Sequence, residues 1–409
     1  MSLDVVIVGA GTAGAAAALA CAKAGLRTLC VDRRPLAEAG ARWVNGVAAA
    51  HFDAAGLARP EASELRSAGG LFHLVAGWGP KRVRVARSAV LEVDMRALGA
   101  RLRALAEDAG AELLGEVSVG TVDGRTLDSS AGLLRARYFV DASGLAGARL
   151  LGQPRVRRED LCAAAQEVRR VRDPGAARAY FERNAAAPGD ALCFTGIAGG
   201  YSIVNVRLEG DEVSLLTGSI PALGHPSGRQ LLDDFVAGER WIGEVVFGGA
   251  RPIPLCAPLA RLASENVALI GDAGCQVFAA HGSGIGPGLV AARLLAEALA
   301  RGEGPRGYAA EWHRRYGRLF GAYDWFRRFS SLLGPADLEL LLDSGLLDDE
   351  SARAGLEQRL PALAPRALPA KLAGLYRARR LAGPLAGLVA RRASNRVAEA
   401  VTRRTRDRA

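Results

Sequence analysis

Short apolar runs, each followed at once by a glycine-rich turn and then by an alanine- and leucine-rich stretch, organise this chain. Asp4-Val5-Val6-Ile7-Val8 reads as a buried parallel strand. Gly9-Ala10-Gly11-Thr12-Ala13-Gly14 follows, and Ala15 to Ala24 reads as a helix closed by Gly25. A second strand, Arg27 to Val31, ends at Asp32. The same order recurs far downstream. Asn266-Val267-Ala268-Leu269-Ile270 is a strand, Gly271-Asp272 and Gly282-Ser283-Gly284-Ile285-Gly286 are turns, and a helix runs from about Leu289 to Ala300. Between the two units, Val93 to Leu105 reads as a helix, and Ala111 to Val119 and Leu133 to Val140 read as strands. Tyr201 to Leu208 and Glu212 to Leu216 read as a hairpin joined by Glu209-Gly210-Asp211. After residue 305 the pattern is helical, broken near the middle by Pro361, Pro365 and Pro369.

A strand–glycine turn–helix–strand unit ending in an acid has a specific chemistry. Gly9 permits the tight turn, Gly11 lets backbone approach a pyrophosphate, and Gly14 lets the helix pack close to the sheet. The helix N-terminus, at Thr12 and Ala13, offers free N–H groups and partial positive charge to phosphates. Asp32, 18 positions beyond Gly14, suits a ribose hydroxyl, with Arg33 beside it. The second turn offers Asp272 to a ribityl hydroxyl and a helix N-terminus to an anionic ring edge. Two such turns imply one large dinucleotide gripped at both ends, and FAD fits. A secretory signal is not expected at the N-terminus, because Asp4 and the glycines interrupt the apolar stretch and no basic segment precedes it.

With these residues in place the chain resembles the FAD-dependent oxidoreductases that include geranylgeranyl reductases, flavin-dependent halogenases and single-component aromatic hydroxylases. The blocks that carry the resemblance are Gly9 to Gly14 with Asp32, Asp141-Ala142-Ser143-Gly144, and Gly271-Asp272 through Ile285. A weaker block is Leu91 to Leu98, whose Arg96 matches an arginine that approaches FAD. The resemblance covers roughly residues 1 to 305. It implies FAD contacts at Arg42, Asn45, Val117, Ala142, Ser143, Gly144, Gly282, Ser283, Gly284 and Ile285. The register of the second turn is nearest that of the geranylgeranyl reductases. Their proline and threonine before Gly-x-Gly-Ile are replaced here by Ala279 and His281, and their cysteine-glycine stretch by Arg42-Trp43-Val44-Asn45-Gly46. The halogenases' Trp-x-Trp-x-Ile-Pro signature is missing.

Composition narrows the setting. Of 409 residues, 50% are hydrophobic, and no apolar run reaches the ~20 residues of a membrane span. Six cysteines form no Cys-x-x-Cys pair and five histidines show no ligand spacing, so neither a disulfide framework nor a metal site is expected. A cytoplasmic location follows from that pattern. The net charge of +10 is concentrated after residue 351, where 14 basic residues face three acids. That region reads as helices that cover the core or meet an anionic membrane surface or acidic partner. Nucleic-acid binding has no supporting motif.

The expected fold class is α/β: a Rossmann-like FAD-binding domain of the glutathione reductase or aromatic hydroxylase type, with an inserted α+β substrate domain and a C-terminal helical region. The FAD domain is expected at 1–50, 88–152 and 251–305, the substrate domain at 51–87 and 153–250, and the basic helical region at 306–409. In this architecture the flavin carries the redox chemistry and the protein positions an apolar small molecule. Reduction or dehydrogenation of a C–C bond, as in geranylgeranyl reductases, is the leading expectation. Hydroxylation of an aromatic substrate through a flavin hydroperoxide is the alternative, and a non-enzymatic flavin-binding protein a further one. His281 is the candidate catalytic residue, because an imidazole beside the glycines can exchange protons near neutral pH. Trp78 and Tyr201 are candidates to line the substrate space. Electrons come from NAD(P)H bound transiently or from an external reductase, since no second dinucleotide fingerprint is present.

Overall fold

The computed structural model describes residues 3–388 apart from Gly69, Arg87 and Leu363. The basic tail from 389 to 409, including Arg391 to Arg408, lies outside the described residues.

Three sheets occur among the described residues. The first runs, edge to edge, Glu112–Leu114, Thr28–Val31, Leu3–Val8, Leu134–Asp141, Thr126–Ser129 and Val119–Asp123, with Val267–Leu269 also paired to Leu134–Asp141. Its core pairings are parallel, with Val5 to Val8 in register with Thr28 to Val31 on one side and with Tyr138 to Asp141 on the other. Val5, Val6 and Ile7 are wholly buried, which is why the N-terminal strand is a continuous apolar run. Each such side chain contributes about 1.5–3 kcal/mol of burial.

Helices Thr12–Lys23, Met95–Asp108 and Ile285–Ala300 pack together over this sheet. Small residues permit the approach. Ala15 to Ala18 are buried, and a Cβ added to Gly288 would come within 3.1 Å of the Ala13 methyl.

The second sheet is ordered Ile242–Pro254, Leu161–Val171, Glu212–Ser219, Ser202–Glu209, Ala191–Thr195, Phe72–Ala76 and Arg82–Val85. It is antiparallel except where Ala191–Thr195 meets Phe72–Ala76. Helices Pro174–Arg183 and Gly228–Gly238 cover one face, each started by a side-chain cap, from Asp173 and from Ser227 with Gln230. The other face is turned toward the rest of the protein. The small third sheet joins Val44–Ala48, Val90–Asp94 and Leu65–Ala68. Helices Gly304–Ser330, Pro335–Asp343, Asp349–Leu356 and Leu368–Arg377 complete the described fold. Among the described residues no helix is long and apolar enough to cross a membrane.

Two local readings change. The helix expected from Val93 begins at Met95, because Val90–Asp94 pairs with two strands and Asp94 then caps the helix through the Arg96 N–H. The strand expected over Ala111–Val119 is two strands, Glu112–Leu114 and Val119–Asp123, with Glu116 between them in the left-handed region. The strand Ile242–Pro254 also carries the second sheet past residue 251, the boundary expected from the sequence.

Candidate active site

The two glycine turns meet in one cleft. Its walls are Gly9, Gly11, Thr12 and Ala13 from the first turn, Gly271, Asp272, Gly282, Gly284 and Ile285 from the second, and Ala142, Ser143 and Gly144 from the middle block. Close approach explains the residue types. A Cβ on Gly14 would lie 1.7 Å from the Gly9 carbonyl oxygen, and one on Gly9 would lie 2.5 Å from the Ala142 oxygen. A Cβ on Gly271 would lie 3.1 Å from Ala13. Helices Thr12–Lys23 and Ile285–Ala300 both begin at the cleft wall, so two helix N-termini offer free N–H groups to an anion.

The Asp32 carboxylate holds the first turn, accepting from the Ala10 N–H (2.8 Å) and the Arg34 N–H (2.9 Å) while it lines the cleft. Asp141, fully buried, accepts from the Ser143 N–H (3.1 Å), the Leu150 N–H (3.0 Å) and Gln153 Nε2 (3.1 Å), which fixes the middle block. Gln276 fixes the second turn. Its Oε1 accepts from the Gly271 N–H (2.8 Å), its Nε2 donates to the Tyr308 hydroxyl (2.7 Å), and that hydroxyl donates to the Leu269 carbonyl (3.0 Å). Burial pushes the Asp272 carboxyl above its ordinary value, and the Arg251 charge works against that.

Several expected contacts fall elsewhere. Trp43 and Asn45 line the cleft, whereas Arg42 is exposed and donates to the Ala37 carbonyl at 3.1 Å. Arg33 is exposed, and Arg34 takes the cleft position. Arg96 pairs with Asp94 at 2.6 Å and lies over the Phe247 ring, so it is not part of the cleft wall. Val117 is buried behind the cleft, its N–H donating to the Asp32 carbonyl at 2.9 Å. Ser283 lies deeper still, its hydroxyl donating to the Gly46 carbonyl at 3.4 Å. Among the cleft residues missed from sequence is Arg251, which donates to the Gly40 carbonyl at 3.0 Å and lies 5.4 Å from the Trp43 ring centre. It sits on the long strand Ile242–Pro254, whose glycines and prolines hide its strand character.

These residues fit an FAD. Two dipole-bearing helix starts and Arg251 suit the anionic pyrophosphate and flavin, and Asp32 and Asp272 suit hydroxyls. Two buried donors on the wall, Trp43 Nε1 and Arg34 Nε, have no hydrogen-bond partner in the protein, although Arg34 lies 3.8 Å from Asp32.

Beyond Asn45 the cleft wall continues into a polar chamber. Asn45, Glu92, Gln166, Asn205, Arg207, Glu209, His281 and Ser283 line it. Phe72, Cys193, Ile203, His281 and Leu356 are shared with a larger apolar cavity of about 580 Å³. The long helix roofs that cavity with Ala322, Tyr323, Phe326, Phe329 and Ser330, spaced as one helical face. Leu338, Leu341 and Ala352 add apolar wall from the next two helices. On the sheet side, Ser202, Val204, Val206 and Leu208 are buried under the covering helices. Ile203, Asn205, Arg207 and Glu209 therefore face the cavity and chamber, in that order of rising polarity.

His281 stands where chamber and cavity join. Its Nε2–H donates to the Gly355 carbonyl (3.2 Å), and its ring lies 5.0 Å from that of Phe278. Burial drives its pKa down to about 4, so the imidazole is neutral near neutral pH. Tyr201 lines the apolar cavity, and burial raises its phenol well above the ordinary value. Trp78 does not line the cavity. It is 56% exposed on the opposite face of the second sheet, where it packs on Phe194 (4.9 Å) and Phe235 (6.2 Å). The turn after Phe72–Ala76 carries it to the helix-covered side. No cluster able to hold a metal occurs among the described residues.

Residues 4–152 match the family model described as FAD dependent oxidoreductase. Digeranylgeranylglycerophospholipid reductase 1 of Methanopyrus kandleri is 28% identical over 337 residues, covering 77% of this chain and 85% of the relative. A geranylgeranyl bacteriochlorophyll reductase-like protein from Thermoplasma acidophilum has the same fold, with a TM-score of 0.71 at 17% identity, covering 93% of this chain and 99% of that one. The flavin-dependent brominase Bmp2 superposes with a TM-score of 0.63 at 18% identity, covering 88% and 95%.

Proposed function

We propose that this chain, an FAD-dependent oxidoreductase, reduces carbon–carbon double bonds in a long, mostly apolar molecule, or forms them in the reverse direction. The observation that carries the reading is the adjacency described above: an apolar cavity of about 580 Å³ shares wall residues with a polar chamber, and that chamber shares Asn45 with the cofactor cleft. That volume lies in the range of cavities that enclose a small organic ligand, roughly 300–1,000 Å³. Its lining of leucine, phenylalanine and tyrosine offers burial but few hydrogen bonds, so it selects chain length and shape.

FAD, when bound, supplies the two-electron chemistry of hydride transfer. The chain's part is to bind, orient and exclude water. Gly9 to Gly14 and the helix starting at Thr12 would hold the phosphates, Asp32 and Asp272 would hold hydroxyls, and Arg251 would offset negative charge. The roof face from Ala322 to Ser330 keeps the apolar chain dry. Neutral His281 closes the junction and ties the glycine turn to the helix Asp349–Leu356 through Gly355. Electrons come from NAD(P)H visiting transiently or from a separate reductase.

The substrate enters from a lipid surface in this reading. Leu368, Leu372, Leu375 and Tyr376 are exposed on and around the helix Leu368–Arg377, close in sequence to the cavity residues Leu360, Pro361 and Leu385. Residues 360–388 carry Arg366, Lys371, Arg377, Arg379 and Arg380 and no acid, which suits an anionic bilayer.

The test is anaerobic. Dithionite-reduced holoenzyme is mixed with geranylgeraniol, and the product is weighed by mass spectrometry. A gain of two hydrogens per reduced bond is expected. A product carrying oxygen from O₂ in the aerobic control, with no hydrogenated product anaerobically, would show hydroxylation instead.

A further inference from the structure

We propose that Glu92 is the proton donor of the reduction, held and tuned by Arg207 on the wall of the polar chamber. The proposal rests on the reductase reading above.

Adding hydrogen across a C=C bond needs a hydride on one carbon and a proton on its neighbour. The reduced cofactor provides the hydride; a side chain or water must provide the proton. That group must face the substrate, lie beside the cofactor cleft and carry a proton at working pH. His281 faces the space but fails on the last count. Its imidazolium is disfavoured by burial, and its Nε2 proton is bonded to Gly355.

Glu92 meets the first two conditions by position, and its burial favours the protonated form. It lies on the central strand of the small sheet, in register with Gly46 on one side and Ser67 on the other. A Cβ on Gly46 would come within 3.4 Å of Glu92 Oε1, so the carboxyl rests directly over that backbone. The next residue, Asn45, lines both the cleft and the chamber. The 23% of the Glu92 side chain that is exposed opens on the chamber. Burial raises its pKa above the ordinary carboxyl value, Arg207 opposes the rise and Glu209 adds to it.

The charges around Glu92 are themselves paired. Arg207 Nη2 lies 3.5 Å from Glu92 Oε1, and Arg207 Nη1 donates to the Ser67 hydroxyl at 2.6 Å. Glu209, on the same strand as Arg207, faces Arg66 at 3.7 Å. Arg66, from the neighbouring strand, also pairs with Glu212 at 2.5 Å. Asp94, on the strand of Glu92, is taken by Arg96. His281 contributes no charge near neutral pH.

The step balances. The π bond opens as hydride reaches one carbon, the Glu92 O–H bond breaks, and its proton forms the second C–H bond. The carboxylate left behind faces Arg207 and is reprotonated from water. Glu92 is thus a catalytic residue, and Arg207 a positioning residue that sets how readily the proton leaves.

The test has a readout independent of turnover. Infrared titration of the apoprotein at neutral pH should show the carbonyl band of a protonated carboxyl that disappears in Glu92→Gln. Its midpoint should move up in Arg207→Met and down in Glu209→Gln; a purely structural pair predicts no such opposed shifts. With dithionite-reduced holoenzyme and geranylgeraniol, Glu92→Gln should retain FAD and lose roughly 100-fold or more in reduction rate. Wild-type rate should fall as pH rises through the infrared midpoint, and that limb should follow the shifts in the other two variants. Absence of the band, its persistence in Glu92→Gln, or a wild-type rate in that variant would overturn the proposal. Should Glu92→Gln not fold, the opposed shifts in Arg207→Met and Glu209→Gln decide alone. Failure of the wild type to reduce geranylgeraniol, with the titration as expected, would count against the reductase reading and not against the protonated state of Glu92.

Discussion

Replacing Asp160 by Asn should loosen the roof of the apolar cavity. Asp160 precedes the strand Leu161–Val171 and is 4% exposed at its side chain. Its carboxylate is paired with Arg327, which is 3% exposed, and with Arg328 at 3.0 Å, both on the roofing helix, and with Arg157 at 2.8 Å. Breaking one partner of a buried pair costs about 3–5 kcal/mol, because the remaining charge stays buried. Asp324 still faces Arg327 at 3.6 Å and Arg328 at 3.1 Å after the change, which places the expected cost at the lower end. Spread over 409 residues at roughly 2.1 cal/mol/K each, a loss of about 3–5 kcal/mol lowers Tm by about 4–6 °C. Burial would raise the Asp160 pKa, but Arg328 and Arg327 outweigh it and hold the carboxyl below its ordinary value. The stabilisation is therefore fully present above the unfolded value of about 3.9 and is lost as pH falls through the lower folded value. Differential scanning fluorimetry of FAD-saturated wild type and Asp160→Asn, from neutral pH down to acid, measures this. The penalty should be constant through neutral pH and shrink only in strong acid. A shift of under about 1 °C at neutral pH would refute the reasoning.

Gly14→Ala places a methyl where the Gly9 carbonyl stands, so the purified protein should be colourless and fail to take up added FAD by absorbance. Arg251→Met removes one charge-assisted contact and should weaken FAD binding about 10–100-fold in a fluorescence titration, with the fold intact by circular dichroism. His281 is held neutral down to about pH 4, so the unfolded chain takes up its proton first on acidification. Between 6.5 and about 4 the wild type should therefore lose stability faster than His281→Asn, as read by Tm against pH. Leu372→Asp with Leu375→Asp should reduce flotation with phosphatidylglycerol vesicles about 100-fold or more, while the reduced holoenzyme still acts on detergent-dispersed geranylgeraniol.

The nucleotide half of the molecule was readable because its physics is local. A buried strand, a glycine turn and an alanine-rich helix each leave a mark within a few residues, and Asp32 and Asp272 follow at fixed offsets. The hairpin Ser202–Glu209 with Glu212–Ser219 was readable for the same reason. What escaped depends on distant pairing. Leu161–Val171 contains Cys162-Ala163-Ala164-Ala165-Gln166-Glu167, a helix-favouring composition that two antiparallel partners hold extended. Arg251 is a cleft residue only because that pairing turns its side of the edge strand toward Gly40. Arg42 and Arg33 were expected as contacts together with Asn45; Asn45 lines the cleft, and beside it Trp43 and Arg34 stand there in place of the two arginines. Arg33, Arg34, Arg42 and Trp43 lie in the irregular segments beyond Val31 and before Val44, where side-chain direction follows no fixed period. Glu92 lies inside the block Leu91 to Leu98, yet nothing in that block marks it as a chamber residue. Its setting arises from two cross-strand neighbours and a third element that supplies Arg207.

The alternation along Ser202–Glu209 has a bearing on how such a protein diversifies. Because a strand presents every second side chain to the ligand, exchanges at 203, 205 or 207 reshape recognition without disturbing the packed underside. A single inserted or deleted residue does the reverse: it would drive Arg207 and Glu209 toward the covering helices and expose Val204 and Val206 instead. New substrates are thus reachable here by substitution, whereas length changes within this hairpin arm are forbidden ground.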